Sequence, residues 1–212
     1  MVKNLIMWDW DGTIVNNHAN AYRALQDMAH KYGLGVITDD DFQNVMGTFG
    51  GAFWTFHFGE NFQKPNNYFI AQFEKYNQEN KPILFDGISE ALAFLSQKGI
   101  PQIVLSNMPQ QMLDEQSSRT GLRDYFKRVC GMGDGPQDRK PFLEHTHEAV
   151  QGIDADALIM VGDGESDLMT AKNAKARMIY IGSKARTDFH YDFLATSHRQ
   201  ILDYIKQLIG EA

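Results

Sequence analysis

The sequence predicts an α/β fold, a Rossmann-like parallel sheet core flanked by helices with a small all-helical insert after the first strand. Three observations predict it. The run Leu5-Ile6-Met7-Trp8 is wholly apolar and of strand length, as expected of a strand buried on both faces of a parallel sheet. Residues 16–82 then carry helical periodicity and no strand signal. Beyond Pro82 strand-like and helix-like segments alternate, the pattern of parallel strands joined by crossover helices. The core is therefore expected over 1–15 and 83–212, and the insert over 16–82.

Within the insert, Ala21, Ala24, Leu25, Met28 and Ala29 recur at helical spacing and predict a helix from Asn17 to Tyr32, stopped by Gly33. Asp39-Asp40-Asp41 suits the start of a second helix through capping and the macrodipole, and Gly47-Thr48-Phe49-Gly50-Gly51 breaks it. Aromatic residues follow at Phe53, Trp54, Phe56, Phe58 and Phe62, and a further helix is expected from Tyr68 to Gln78. In the core, helices are expected near 88–97, 110–119, 142–150 and 200–208, with one more after Asp167. Strands are expected at 102–105, 128–130, 157–161 and 178–181.

Composition narrows the function classes. Of 212 residues, 43% are hydrophobic and 22% charged, which fits a globular chain and excludes a disordered one. A net charge of -7 disfavours a broad nucleic-acid or anionic-membrane surface. Cys130 stands alone, so no internal disulfide forms, no Cys/His spacing resembles a zinc site, and a cytoplasmic location is expected. No apolar run reaches spanning length and Asp9 interrupts the one at the N-terminus, so neither membrane segment nor signal peptide is expected. No protein partner is evident.

Ligands in parallel α/β folds bind beyond the carboxyl ends of the strands. Asp9 and Asp11 follow the first strand, with Gly12 allowing a tight turn. Taken alone, Asp-Gly reads as a surface turn, Ser106 as a helix cap and Lys140 as a solvated lysine. Together, four strand-to-helix junctions carry Asp9/Asp11, Ser106, Lys140 and Asp163/Asp167 in that order. This arrangement resembles the haloacid dehalogenase superfamily, whose signature is Asp-x-Asp-Gly-Thr, then Ser or Thr, then Lys, then Gly-Asp-x-x-x-Asp. The resemblance spans nearly the whole chain. It implies that the insert is a helical cap, and the short stretch between Ser106 and Lys140 leaves no room for a second one.

The chemistry of these residues agrees with the resemblance. A carboxylate with a reference pKa of about 3.9 is an anion at neutral pH, so Asp9 can attack phosphorus without a base. Several carboxylates beside a phosphate dianion repel one another and require a divalent cation, for which magnesium, a seeker of hard oxygen ligands, is expected. The resemblance implies Asp9, Asp163 and the backbone carbonyl of Asp11 as ligands, with Asp167 behind them. It implies Ser106, Asn107 and Lys140 as the phosphate-binding groups, and Asp11 as acid and then base. Among the remaining polar residues, Glu165 reads as a solvent-facing helix start. His145 and His147, two apart on a helix, cannot share a metal. Cys130 reads as a small hydrophobe.

The resemblance implies a magnesium-dependent phosphatase acting on a small phosphorylated metabolite, a phosphate monoester, through an aspartyl phosphate on Asp9. The alternatives are a phosphomutase of the same superfamily or a receiver-like phospho-signalling domain, which would not need the cap. Because dehalogenases and phosphonate hydrolases of that family lack the second aspartate, the resemblance with Asp11 present favours phosphate-ester hydrolysis or a phosphomutase reaction. The cap loop Val45–Ala52 resembles the specificity loop of phosphoglycolate-phosphatase-like members, so Gly47, Thr48, Phe49, Gly50 and Gly51 are candidate substrate-binding residues. Aromatic residues follow the loop where those members often carry a basic one, which argues against glycolate. Asn16 and Leu143 also depart from the family pattern, without touching metal or phosphate. Some of Phe49, Phe53, Trp54, Phe56 and Phe58 are expected to build the cap's own core and the rest an apolar lid. Arg23 or the Gly50-Gly51 amides are the alternative anchors for a carboxylate.

Overall fold

A computed structural model describes residues 3–46, 52–183, 185 and 187–210. The chain divides into two compact units, one of Met1–Asn16 and Ile83–Ala212 and one of Asn17–Pro82. The smaller unit holds α1 (His18–Tyr32), α2 (Asp39–Met46), α3 (Ala52–Phe58) and α4 (Gln63–Glu79). Helix α1 ends at Gly33, whose φ of 73° only glycine adopts without strain and whose N–H returns to the Ala29 and His30 carbonyls. At the start of α2, Thr38 Oγ1 accepts the Asp41 N–H at 3.1 Å while Asp41 Oδ2 accepts the Thr38 N–H at 2.9 Å, a reciprocal cap. Helix α4 begins at Gln63, earlier than the periodicity predicts, and Pro65 sits in its first turn, where its missing N–H has no helical partner to lose.

This unit's core packs Ala21, Ala24 and Leu25 of α1 with the aromatic residues Phe69, Phe73 and Tyr76 of α4. Phe53 and Trp54 are buried with them, Phe58 is half-buried, and Phe56 is 84% exposed. Arg23 lies over the Tyr76 ring, 4.1 Å from its centre, and the Tyr76 hydroxyl donates to the Asp27 carboxylate. The candidate loop residues Gly47, Thr48, Phe49, Gly50 and Gly51 lie outside the described residues.

The larger unit holds β1 (Asn4–Trp8), α5 (Ile88–Gln97), β2 (Gln102–Pro109), α6 (Gln110–Thr120), β3 (Arg128–Met132) and α7 (Leu143–Val150). It continues through β4 (Ala157–Gly162), α8 (Glu165–Ala174), β5 (Arg177–Ile181), β6 (Phe193–Ala195) and α9 (His198–Leu208). The six strands form one parallel sheet in the order β3-β2-β1-β4-β5-β6. Strand β6 carries no sequence signal of its own: three residues are too few for a period, and only pairing with β5 makes them a strand.

Strand β1 lies in the middle of the sheet, which is why every residue of Leu5–Trp8 is apolar and fully buried. Leu5 and Met7 join Ile103, Leu105, Met160, Ala149, Leu168 and Ala171 in one cluster, placing α7 and α8 on that face; Ile6 and Trp8 point to the other. Register pairs Trp8 with both Val104 and Val161, so Asp9 and Asp163, just past β1 and β4, come to the same edge as Ser106, which lies within β2. A buried polar relay ties this edge to α5. Trp8 Nε1–H donates to Gln102 Oε1 at 3.0 Å, and Gln102 Nε2–H donates to the Leu92 carbonyl at 3.0 Å. Replacing Gln102 by leucine keeps the volume but strands a buried indole N–H, while the Leu92 carbonyl, inside α5, keeps its helical hydrogen bond. With one buried donor left unpaired, Gln102→Leu is expected to lower the unfolding free energy by about 1–3 kcal/mol in urea titration.

Candidate active site

The end of β1 remains tied to the sheet one residue past the strand, because the Asp9 N–H donates to the Val161 carbonyl at 2.9 Å. The chain then turns at Gly12, with φ of 77° and its N–H bonded to the Val15 carbonyl at 3.0 Å. Glycine is required there twice over, since a Cβ would also collide with the Asp163 carboxylate. Thr13 Oγ1 donates to Asp163 Oδ1 at 3.1 Å, so the turn after β1 grips the side chain delivered by β4. Gly162 serves in the same way, its bare Cα leaving room for the Asp167 carboxylate. Asp11 is half-buried beside them.

Lys140 is only 2% exposed, an unusual place for an ammonium. Its Nζ donates to Asp9 Oδ1 and to Asp167 Oδ1, each at 2.5 Å. Asn107 Oδ1 accepts its backbone N–H at 2.8 Å, and Asn173 Nδ2 donates to the next carbonyl, that of Pro141, at 2.9 Å. Asp167 Oδ2 accepts the Gly164 N–H at 2.9 Å, capping α8. The Ser106 hydroxyl is buried and accepts the Met108 N–H at 3.1 Å. The fold thus gathers Asp9, Lys140, Asp163 and Asp167 at one point and brings Asn107 to the backbone of Lys140.

The charges do not balance within the protein. Ligand oxygens of Asp9, Asp163 and Asp167 lie within 4.8 Å of one another, against one ammonium. Burial, then the Asp167 charge, raises the Asp9 carboxyl well above the usual range, and Lys140 offsets only part of this. The same two causes push Asp163 up to about 7. Burial pulls Lys140 down, but the Asp167 and Asp9 carboxylates outweigh it and hold the ammonium above its ordinary value. An all-oxygen donor set with surplus negative charge suits a hard divalent cation. Asp9 and Asp163 are the carboxylates placed to hold it, since Asp167 is committed to Lys140 and Gly164.

Sequence reasoning does not single out the Thr13 hydroxyl as the clamp on Asp163, nor the need for Gly162, because both depend on a partner about 150 and five residues away respectively. Glu165 begins α8 but is half-buried, not solvent-facing. Cys130 is half-buried, and burial raises its thiol pKa. On α7 the rings of His145 and His147 diverge, the first buried and the second exposed.

Known proteins agree on the frame. The family model described as haloacid dehalogenase-like hydrolase matches residues 6–181. A phosphoglycolate phosphatase of Agrobacterium fabrum is 28% identical over 181 residues, covering 80% of this chain and 76% of that one. A phosphoglycolate phosphatase of Neisseria gonorrhoeae is 40% identical over 86 residues, but the match covers only 39% of this chain and 36% of that relative. A haloacid dehalogenase-like hydrolase of Streptococcus pneumoniae superposes with a TM-score of 0.81 at 16% identity, over 95% of this chain and 97% of its own, a likeness of fold.

The surplus charge sets a pH signature. Asp163 holds its proton up to about pH 7 when folded but only to about 3.9 when unfolded. The folded state therefore binds more protons between those values, and this group's contribution to stability falls as pH rises through that window. In excess chelator, Asp163→Asn is expected to gain thermal stability relative to wild type from pH 4 to pH 7 and to hold that gain above, measured by melting at each pH. A difference independent of pH would mean that Asp163 is not in surplus charge.

Proposed function

This chain belongs to the haloacid dehalogenase-like hydrolase family, and we propose that it is a magnesium-dependent phosphatase cleaving a small phosphate monoester through a phosphoryl group carried on Asp9. The observation that carries this reading is the Asp9 carboxylate at the end of the central strand, held by a buried Lys140 and crowded by Asp163. One Asp9 oxygen is bound to Lys140 Nζ, which orients the carboxylate without removing its charge. In the first step a carboxylate oxygen of Asp9 forms a bond to phosphorus, the bond from phosphorus to the leaving oxygen breaks, and the Asp11 carboxyl gives that oxygen its proton. In the second, the Asp11 carboxylate takes a proton from water, the water oxygen bonds to phosphorus, and the bond to Asp9 breaks. Inorganic phosphate leaves and Asp9 is restored. Lys140 and the Ser106 hydroxyl face the phosphoryl oxygens in this reading, and magnesium on Asp9, Asp163 and the Asp11 carbonyl would neutralise the charge that develops there.

The helical unit of residues 17–82 is the cap in this reading. The test is phosphate release from a panel of phosphomonoesters, with and without magnesium. Wild type is expected to turn over and to fall silent in excess chelator, and Asp9→Asn is expected to lose at least about a thousandfold in kcat while remaining folded by circular dichroism. Near-wild-type turnover by Asp9→Asn would overturn the mechanism.

Substrate choice follows from charge. The relatives are named for phosphoglycolate, whose leaving group bears a carboxylate. From Tyr32 to Gln63 this chain has no lysine or arginine, and Arg23, the nearest preceding arginine, is engaged with the Tyr76 ring. A carboxylate is normally met by a positioned cation. We therefore expect a substrate with one phosphate and a neutral or weakly polar leaving group. Monophosphates of matched size with neutral and carboxylate-bearing leaving groups are expected to differ in kcat/KM in favour of the neutral one. A preference of tenfold for the carboxylate, about 1.4 kcal/mol of transition-state binding, would reverse that assignment.

A further inference from the structure

Behind the turn at Gly12-Thr13 lies a side chain that the mechanism does not use. His198 opens α9, and its ring stacks face to face on that of Phe85, with centres 3.9 Å apart and planes 12° from parallel. Phe85 belongs to the segment that returns to the core, and its N–H donates to the Ile14 carbonyl at 3.1 Å, while the Asn16 N–H donates to the Ile83 carbonyl at 2.7 Å. The stack is therefore seated against the same loop that carries Asp11 and Thr13. Burial lowers the His198 pKa to about 4, partly opposed by the carbonyls of Thr13 and Gly12 beside the ring, so the imidazole is neutral at pH 7. A neutral imidazole has one N–H, and two neighbouring carbonyls select the tautomer that directs it toward them. Nε2 is buried and makes no hydrogen bond of full geometry, so its approach to those carbonyls is incomplete. A buried ring nitrogen left open next to backbone acceptors calls for a reason beyond packing, since an apolar ring would stack equally well.

The turn is thus enclosed on two sides, by the Asp163 carboxylate, which takes the Thr13 hydroxyl, and by the His198 ring. We propose that His198 is a positioning residue for the active site, whose N–H engages a carbonyl of the Gly12-Thr13 turn when the loop tightens on its ligands and so sets Asp11 and the Thr13 clamp on Asp163. It touches neither substrate nor metal. The effect reaches the reaction through the turn, which has Asp11 at its front and Thr13 at its back.

The proposal rests on the phosphatase reading for one of its two readouts, kcat; the other, magnesium affinity by titration calorimetry, needs no turnover. His198→Phe keeps the stack and deletes the N–H. It is expected to melt at or above the wild-type temperature, to lose at least tenfold in kcat with KM changed less than threefold, and to bind magnesium at least threefold more weakly. His198→Gln places an amide N–H near the same point and deletes the stack. It is expected to melt lower yet stay within threefold of wild type in kcat and in magnesium affinity. A merely structural histidine would make activity follow stability in both variants. Wild-type kcat and magnesium affinity in His198→Phe would overturn the proposal, and so would equal losses in the two variants. If one variant does not fold, the other still decides. If wild type hydrolyses no phosphomonoester, the phosphatase reading fails while the magnesium comparison still judges His198.

Discussion

An ammonium buried between two carboxylates is the constraint on which this structure depends. Taking Lys140 out of water costs several kcal/mol, and only a well-placed opposite charge offsets it. The partners come from 131 and 27 residues away, Asp9 at the end of β1 and Asp167 in the first turn of α8. Once both are present, Asp163 adds a third carboxylate within 4.8 Å, and one ammonium cannot balance three anions. The carboxylates that offset Lys140 therefore leave a surplus of negative charge beside it. Breaking the pair would leave an unpaired charge in the interior, the most damaging state available to the cluster.

Holding such a cluster together requires rigid supports. None of its members hangs from a free loop. Asp9 is bound through its N–H to β4, Asp167 through its carboxylate to the start of α8, and Lys140 through its backbone to Asn107 of β2. Gly12 and Gly162 contribute by lacking a side chain, since the Asp163 and Asp167 carboxylates occupy the places their Cβ atoms would take. Groups so fixed before a ligand arrives need little reorganisation when charge develops on it.

The helical unit follows another physical logic. Its stability comes from aromatic residues of α4 packed on the small residues of α1, and its cations are drawn into that seam. Arg23 lies over Tyr76, and Lys31 lies 3.8 Å from the centre of the Tyr68 ring. Cations spent on aromatic faces are less available to a carboxylate. Phe56 on α3, 84% exposed, and Val36, 86% exposed, are large apolar side chains that this unit leaves to solvent.

Some of this was determined by sequence alone. The uninterrupted apolar run at Leu5–Trp8 specifies a central strand, the alternation beyond Pro82 a parallel sheet, and the four polar junctions a set of side chains at strand ends, because burial and period are local properties of a chain. The type of each longer element follows for the same reason. Other features only the tertiary structure decided. Strand β6 exists through its pairing with β5. Phe53 and Trp54 are buried while Phe56 is exposed, although all three lie within one short helix of similar hydrophobicity. Asn107 proves to hold the Lys140 backbone, Thr13 to clamp Asp163, and His198 to stand behind the turn. Each of these is a contact between residues at least 33 positions apart. No local pattern encodes such a pairing: which distant polar groups meet is decided by the register and order of the strands, which exist only once the sheet has formed.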